Sequence, residues 1–162
     1  MIDLKSKMSK KINFFIEKFK RFKKNKALIL ENGKSFTYKN LITNSLKISK
    51  NLDNQKRLVF LLGQNNFETI AGYISFVNQG FTTTLLDHRI NDMFLKRLIS
   101  KYSPKYIFCE KTKTMSGYYN VLNFKSYALL QKTKSVKYNI EGDLMLLMST
   151  SGSTGSPKLV KQ

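Results

Sequence analysis

Apolar residues recur along this chain in two rhythms, one helical and one extended. In "MSKKINFFIEKFKRF", residues 8–22, Met8, Ile12, Phe15, Phe19 and Phe22 are separated by four and three. That spacing lines one helical face, and lysines cover the other. Such a helix can dock its stripe on a domain or lie on an anionic membrane surface. Its direct run into foldable sequence favours docking. "ALILENGKSFTY", residues 27–38, then predicts a hairpin turning at Asn32-Gly33. Thr37 is placed to cap a helix that carries Leu41, Ile42, Leu46 and Ile48 and runs to about Leu52.

Further along, short apolar runs alternate with helical patterns. "RLVFLL" (57–62), "FTTTLL" (81–86) and "YIFC" (106–109) read as buried strands. "FETIAGYISFVNQ" (67–79) reads as a helix closed by Gly80 in a left-handed cap. "NDMFLKRLISKY" (91–102) reads as the next, with Pro104 beyond its end. This alternation predicts an α/β fold, a mostly parallel sheet flanked by helices. Residues 111–142 are polar and Lys/Tyr-rich; they read as irregular structure holding one strand, "YNVLNF" (119–124), and a short helix around Tyr127. "DLMLLMST" (143–150) is a final apolar strand that delivers a loop.

Composition adds limits. A chain of 162 residues with 41% hydrophobic content can bury a core, about 68–70% of its unfolded surface. No apolar run reaches the roughly 20 residues of a membrane span, and the N-terminus lacks the apolar centre of a secretory signal. The single cysteine, Cys109, forms no internal disulfide, and no Cys/His cluster has metal-ligand spacing. A cytoplasmic protein is expected. The net charge of +19 raises nucleic-acid binding, but arginine stands only at positions 21, 57, 89 and 97. Arginine is the residue for bidentate phosphate and base contacts. The excess reads instead as a lysine-rich solvated surface with no specific nucleic-acid partner.

The chemistry concentrates at the C-terminal end. "TSGSTGSPK", residues 150–158, supplies the hydroxyls of Thr150, Ser151, Ser153 and Thr154, the glycines Gly152 and Gly155, and Lys158. Glycines let successive N–H groups turn toward one anion, hydroxyls add donors, and the lysine adds charge. This is a phosphate cradle. It is not a Walker A loop, because Pro157 stands where that motif needs its second glycine. Leu159-Val160 is strand-like, so no helix N-terminus is expected behind it.

These residues resemble the signature phosphate loop of the adenylate-forming, or AMP-binding, synthetase superfamily, which includes acyl-CoA synthetases, peptide-synthetase adenylation domains and luciferases. Thr37, Tyr38 and Leu41 resemble the Thr-Tyr-x-x-Leu pattern of its early hairpin. "RLVFLLGQNNFETIAGYISFVNQGFTTTLLD" resembles its next unit, with a helix ending at Gly80 and a strand ending at Asp87. Ser149 stands where the family carries an aromatic residue and Leu159 where it carries glycine, marks of a divergent branch.

The resemblance implies a division into a basic helical region (1–26), an α/β region (27–147) and the phosphate loop with its flanking strands (148–162). It implies that Thr150, Ser151, Gly152, Ser153, Thr154, Gly155 and Lys158 hold the phosphates of ATP. It also implies Mg²⁺, a carboxylic acid substrate, and a thiol acceptor on coenzyme A or a carrier protein. The family's Mg²⁺ ligand and catalytic lysine lie beyond position 162. The expectation is therefore an N-terminal piece of an acyl-adenylate-forming ligase, inactive alone, ending in an exposed sheet edge and partnered by the missing C-terminal half as a separate chain. The alternative is a small basic nucleotide- or phosphate-binding module without catalysis. His88 reads as a loop histidine rather than a base. Asp87 and Asp92 beside it lack a nucleophile, and Cys109 reads as inert core.

Overall fold

Strand β3, Leu58–Gly63, is apolar at every position before its terminal glycine, and both of its faces are covered. In the computed structural model, which describes residues 14–134, 140, 144–149 and 159–161, its residues alternate between two cores. Val59 and Leu61 join helices α2 (Tyr38–Ser49) and α3 (Phe67–Asn78) through Leu41, Ile48, Phe67 and Phe76. Leu58, Phe60 and Leu62 face Leu95 and Leu98 of helix α4, Asp92–Tyr102. A continuous apolar run is what a strand buried on both sides requires.

Around β3 the described residues form a seven-stranded sheet. Parallel neighbours are β4 (Thr82–Asp87) and β5 (Tyr106–Glu110), with β8 (Leu146–Ser149) beyond β4. Two strands run the other way: β7 (Tyr127–Lys132) beside β5, and β9 (Leu159–Lys161) beside β8. The sheet order is β6-β7-β5-β3-β4-β8-β9, with β6 spanning Tyr118–Phe124. Five of the seven strands therefore point the same way, as the alternating pattern predicts. The sheet's outermost strands are β6 and β9. Strands β1 (Lys26–Ile29) and β2 (Ser35–Thr37) make a separate hairpin, with Gly33 at φ +78° in its turn.

The cap expected at Thr37 forms, and two asparagines not singled out by the sequence pattern cap the next helices. Thr37 caps α2 in a reciprocal box with Asn40, Asn66 caps α3, and Asn91 caps α4. Gly80 follows α3 at φ +73°. At the N-terminus, helix α1 (Phe14–Lys20) docks, as favoured, through Phe19 of the predicted stripe against the Tyr38 ring at 5.1 Å and through a buried Ile16 that lies off that stripe. Met8 and Ile12 lie outside the described residues. The predicted stripe nevertheless fails at its far end. The chain turns after Lys20 to enter β1, leaving Phe22 exposed. In α2 the buried line runs through Leu41, Ser45 and Ile48, and Leu46 points outward, one position off that face.

Tyr127 belongs to a strand rather than a short helix. Phe124 and Tyr127 pair across a two-residue turn in which Lys125 takes φ +52°. β7 pairs along all of β5, from Tyr106↔Gln131 to Glu110↔Tyr127, and its first four residues are buried. Tertiary pairing overrides the weak helical preference of Tyr-Ala-Leu-Leu. The Lys125 ammonium lies 4.0 Å from the centre of the Phe67 ring, which stacks on Phe36 at 4.1 Å. The tight turn thus anchors the β1–β2 hairpin to the sheet.

Candidate functional site

The carboxyl ends of the parallel strands form one rim. Gly63 of β3 pairs with Asp87 of β4, and Leu85 pairs with Met148, so Ser149 of β8 ends beside them. From this rim the chain leaves β3 toward α3 on one face of the sheet and leaves β4 toward α4 on the other. Adjacent strands whose exits diverge open a crevice between them, the usual ligand position in α/β sheets. A cavity of ≈ 580 Å³ lies there, lined by the exits Gly63–Asn65 and Asp87–Arg89 and walled by Leu30–Asn32 of the β1–β2 turn.

Each exit is held by its own polar side chains. The Asp87 carboxylate accepts from the Arg89 backbone N–H at 2.7 Å and from the guanidinium at 3.1 and 2.9 Å. These bonds hold its carboxyl well below the usual carboxylate range. The pair is exposed, so solvent screens it and its contribution is a fixed loop geometry rather than stability. The His88 N–H donates to the Gly63 carbonyl at 3.1 Å, closing the rim between β3 and β4. On the other exit, the Gln64 N–H donates to Thr69 Oγ1 at 3.1 Å. The Gln64 side chain donates to Glu110 Oε1, at the end of β5, at 2.9 Å.

The sequence-predicted cradle residues Thr150, Ser151, Gly152, Ser153, Thr154, Gly155 and Lys158 lie outside the described residues, but their flanks are placed. Strands β8 and β9 pair antiparallel, and Ser149 opposes Leu159. The strand ends that flank residues 150–158 therefore lie at neighbouring positions, on the same rim as the cavity. Strand β9 replaces the helix that follows a Walker loop, as the residues after Lys158 predict.

The structure separates the other candidates. Asp92 sits 3.6 Å from Lys113 and Asp87 on Arg89, so the two carboxylates have different partners. Among the described residues no His/Cys/Asp/Glu group is arranged to hold a metal ion. Cys109 is fully buried in β5, and burial pushes its thiol up to about 12. A folded thiol above its unfolded value, about 8.5, contributes stability below that pH and loses it as pH rises toward 12. The urea midpoint is expected to fall between pH 9 and 11 more steeply for the native chain than for Cys109→Ala. At pH 8 a thiol reagent should label Cys109 only in denaturant; rapid native labelling would contradict its burial.

A family model described as "AMP-binding enzyme" matches residues 15–162. The chain belongs to the AMP-binding enzyme family. Among curated relatives is a D-alanine–D-alanyl carrier protein ligase of Staphylococcus aureus (strain MRSA252), 27% identical over 129 residues. That match covers 77% of this chain and 26% of the relative, so the chain spans about a quarter of that ligase. The fold matches the Klebsiella oxytoca NpsA N-terminal subdomain at TM-score 0.67 and 21% identity, over 93% of this chain and 41% of that one. The O-succinylbenzoate coenzyme A synthetase MenE of Bacillus subtilis, in complex with AMP, matches at TM-score 0.67 and 18% identity, over 93% and 42%.

Sequence reasoning missed the rim cavity, although its signal is present. The polar runs "GQNN" and "DHR" each follow an apolar strand directly, at the strand end where α/β proteins bind ligands.

Proposed function

We propose that this chain supplies the ATP-phosphate-binding portion of a cytoplasmic, acyl-adenylate-forming ligase. The observation that carries this reading is the pairing of Ser149 with Leu159 beside the Gly63–Asp87 rim. It gives the hydroxyl-, glycine- and lysine-containing segment 150–158 fixed ends next to a switch-point cavity. In the reaction a carboxylate oxygen bonds to the α-phosphorus of ATP. The α–β bridging bond breaks, and its electron pair leaves with pyrophosphate. A thiol on coenzyme A or a carrier protein then displaces AMP.

The chain's share is electrostatic. Backbone N–H groups about Gly152 and Gly155, the hydroxyls of Thr150, Ser151, Ser153 and Thr154, and the Lys158 ammonium hold the β- and γ-phosphates as charge moves onto them. The described residues hold no carboxylate cluster suited to Mg²⁺, and segment 150–158 has no acidic residue. The absence of a transmembrane helix among the described residues is compatible with a cytoplasmic enzyme.

ATP at a hundredfold excess over its dissociation constant is expected to stabilise the chain by about 2.7 kcal/mol. Lys158→Ala should weaken ATP at least tenfold, about the worth of one charge-assisted contact, with Lys158→Arg restoring part. No thermal protection by ATP, or protection indifferent to Lys158, would overturn the reading. Pyrophosphate exchange into ATP by the 162-residue chain alone should stay at background with every carboxylate tried. Robust exchange would show that the chain carries the whole reaction.

A further inference from the structure

The segment Lys18–Lys26 carries six cations in nine residues, and all six are exposed. Glu17 is the one carboxylate between residues 4 and 30, and it pairs with Lys20. The fold adds to this density. The Lys39 N–H donates to the Lys23 carbonyl at 3.0 Å and the Tyr38 N–H to the Asn25 carbonyl at 3.1 Å. These bonds clamp the turn after α1 onto the start of α2 and bring the exposed Lys39 beside the run. Ile16 and Phe19 hold the helix down from beneath, so the basic face is fixed to the domain. Phe22 stands within it, 53% exposed, its ring 6.3 Å from that of Tyr38.

We infer that this face docks on an anionic lipid bilayer, with the lysines against the headgroups and Phe22 entering the interfacial layer. Charge complementarity selects the partner. Five of the six cations are lysines, point charges suited to a diffuse anionic surface rather than to bidentate recognition of one phosphate. Clustered cations around an exposed aromatic ring combine the two terms that bind an interfacial helix, electrostatic attraction and apolar burial. A nucleic acid would use the cations but has less use for a single ring outside a strand-tracking groove. Attachment at this face goes beyond the ligase reading, and its test does not depend on ATP.

The full chain is sedimented with phosphatidylcholine vesicles containing about 30% phosphatidylserine or none, at about 0.1 M salt. It is expected to pellet with the anionic vesicles only and to release at about 0.5 M salt. Lys23→Ala/Lys24→Ala should weaken partitioning about 25-fold, roughly fivefold per cation removed near the surface. Phe22→Ala should weaken it several-fold while leaving the salt dependence unchanged, which a purely ionic attachment would not do. All these side chains are exposed, so both variants should melt with the native chain. Equal binding to neutral vesicles, or partitioning unmoved by either variant, would overturn the inference. Tighter binding to single-stranded RNA than to anionic vesicles at equal phosphate concentration would overturn it in favour of a nucleic-acid surface.

Discussion

Phe108→Ala is expected to destabilise the fold by about 3–5 kcal/mol, read as a lower urea midpoint with an unchanged slope. Phe108 is fully buried in β5 and meets three other rings: Tyr127 at 5.1 Å, Phe76 at 5.8 Å and Phe124 at 6.2 Å. Its ring also lies against Gly72 of α3, where an added Cβ would sit 2.7 Å from Phe108 Cε1. The helix comes this close to the sheet because position 72 has no side chain. Gly72→Ala alone should therefore cost about 1–3 kcal/mol by overpacking, despite alanine's better helix propensity. In a Phe108→Ala background the same methyl enters the vacated space, and its cost should vanish or reverse. Additive effects would show that helix and ring do not meet there.

Those contacts also mark the limit of what sequence patterning reveals. The buried runs "RLVFLL" and "YIFC" announce their strands because both faces must be apolar. Thr37, Asn66 and Asn91 sit immediately before helical periods, where a side-chain acceptor meets unpaired N–H groups. "YALLQK" announces nothing comparable. Its short apolar run suits helix or strand, and its turn, Lys125-Ser126, lacks the Asn-Gly chemistry that marks a tight hairpin. The two-residue turn closed by β6–β7 pairing sets φ +52° at Lys125, whose ammonium lies against Phe67 and Phe36. Phe22 escaped for a similar reason: helical spacing does not announce that the chain turns away after Lys20.

The candidate site divides along the same line. The chemistry of segment 150–158 is contiguous, so residue types and spacing display it. The rim cavity is assembled from residues 30–32, 63–65 and 87–89, and only the order of β3, β4 and the intervening crossovers brings them together. His88 stays an ordinary loop histidine: its backbone N–H, not its ring, bridges to the Gly63 carbonyl. Asp87 and Asp92 read as two carboxylates beside His88, and only the structure shows Asp87 bound by Arg89 two residues away.

Gly63→Ala tests whether this rim is built as tightly as it looks. The added Cβ would stand 2.7 Å from Thr69 Cγ2. Thr69 cannot swing aside freely, because its hydroxyl accepts the Gln64 N–H at 3.1 Å and is itself 3.4 Å from the Tyr127 hydroxyl. Relieving the clash gives up the Gln64 bond and loosens the first residue of the β3 exit. The expected cost is about 1–3 kcal/mol, with faster hydrogen exchange at the Gln64 amide while central β3 amides stay protected. Thr69→Ser removes the obstructing methyl and keeps the hydroxyl, so Gly63→Ala/Thr69→Ser should regain most of the stability and the Gln64 protection. Because Gly63 and Gln64 line the cavity on the rim where β8 ends, the proposed function further expects the single variant to weaken ATP and the double variant to recover it. A Gly63→Ala chain with native stability and a protected Gln64 amide would mean that Thr69 does not hold the exit. The exit would then owe its shape to the Gln64–Glu110 bond and to the His88 N–H on the Gly63 carbonyl.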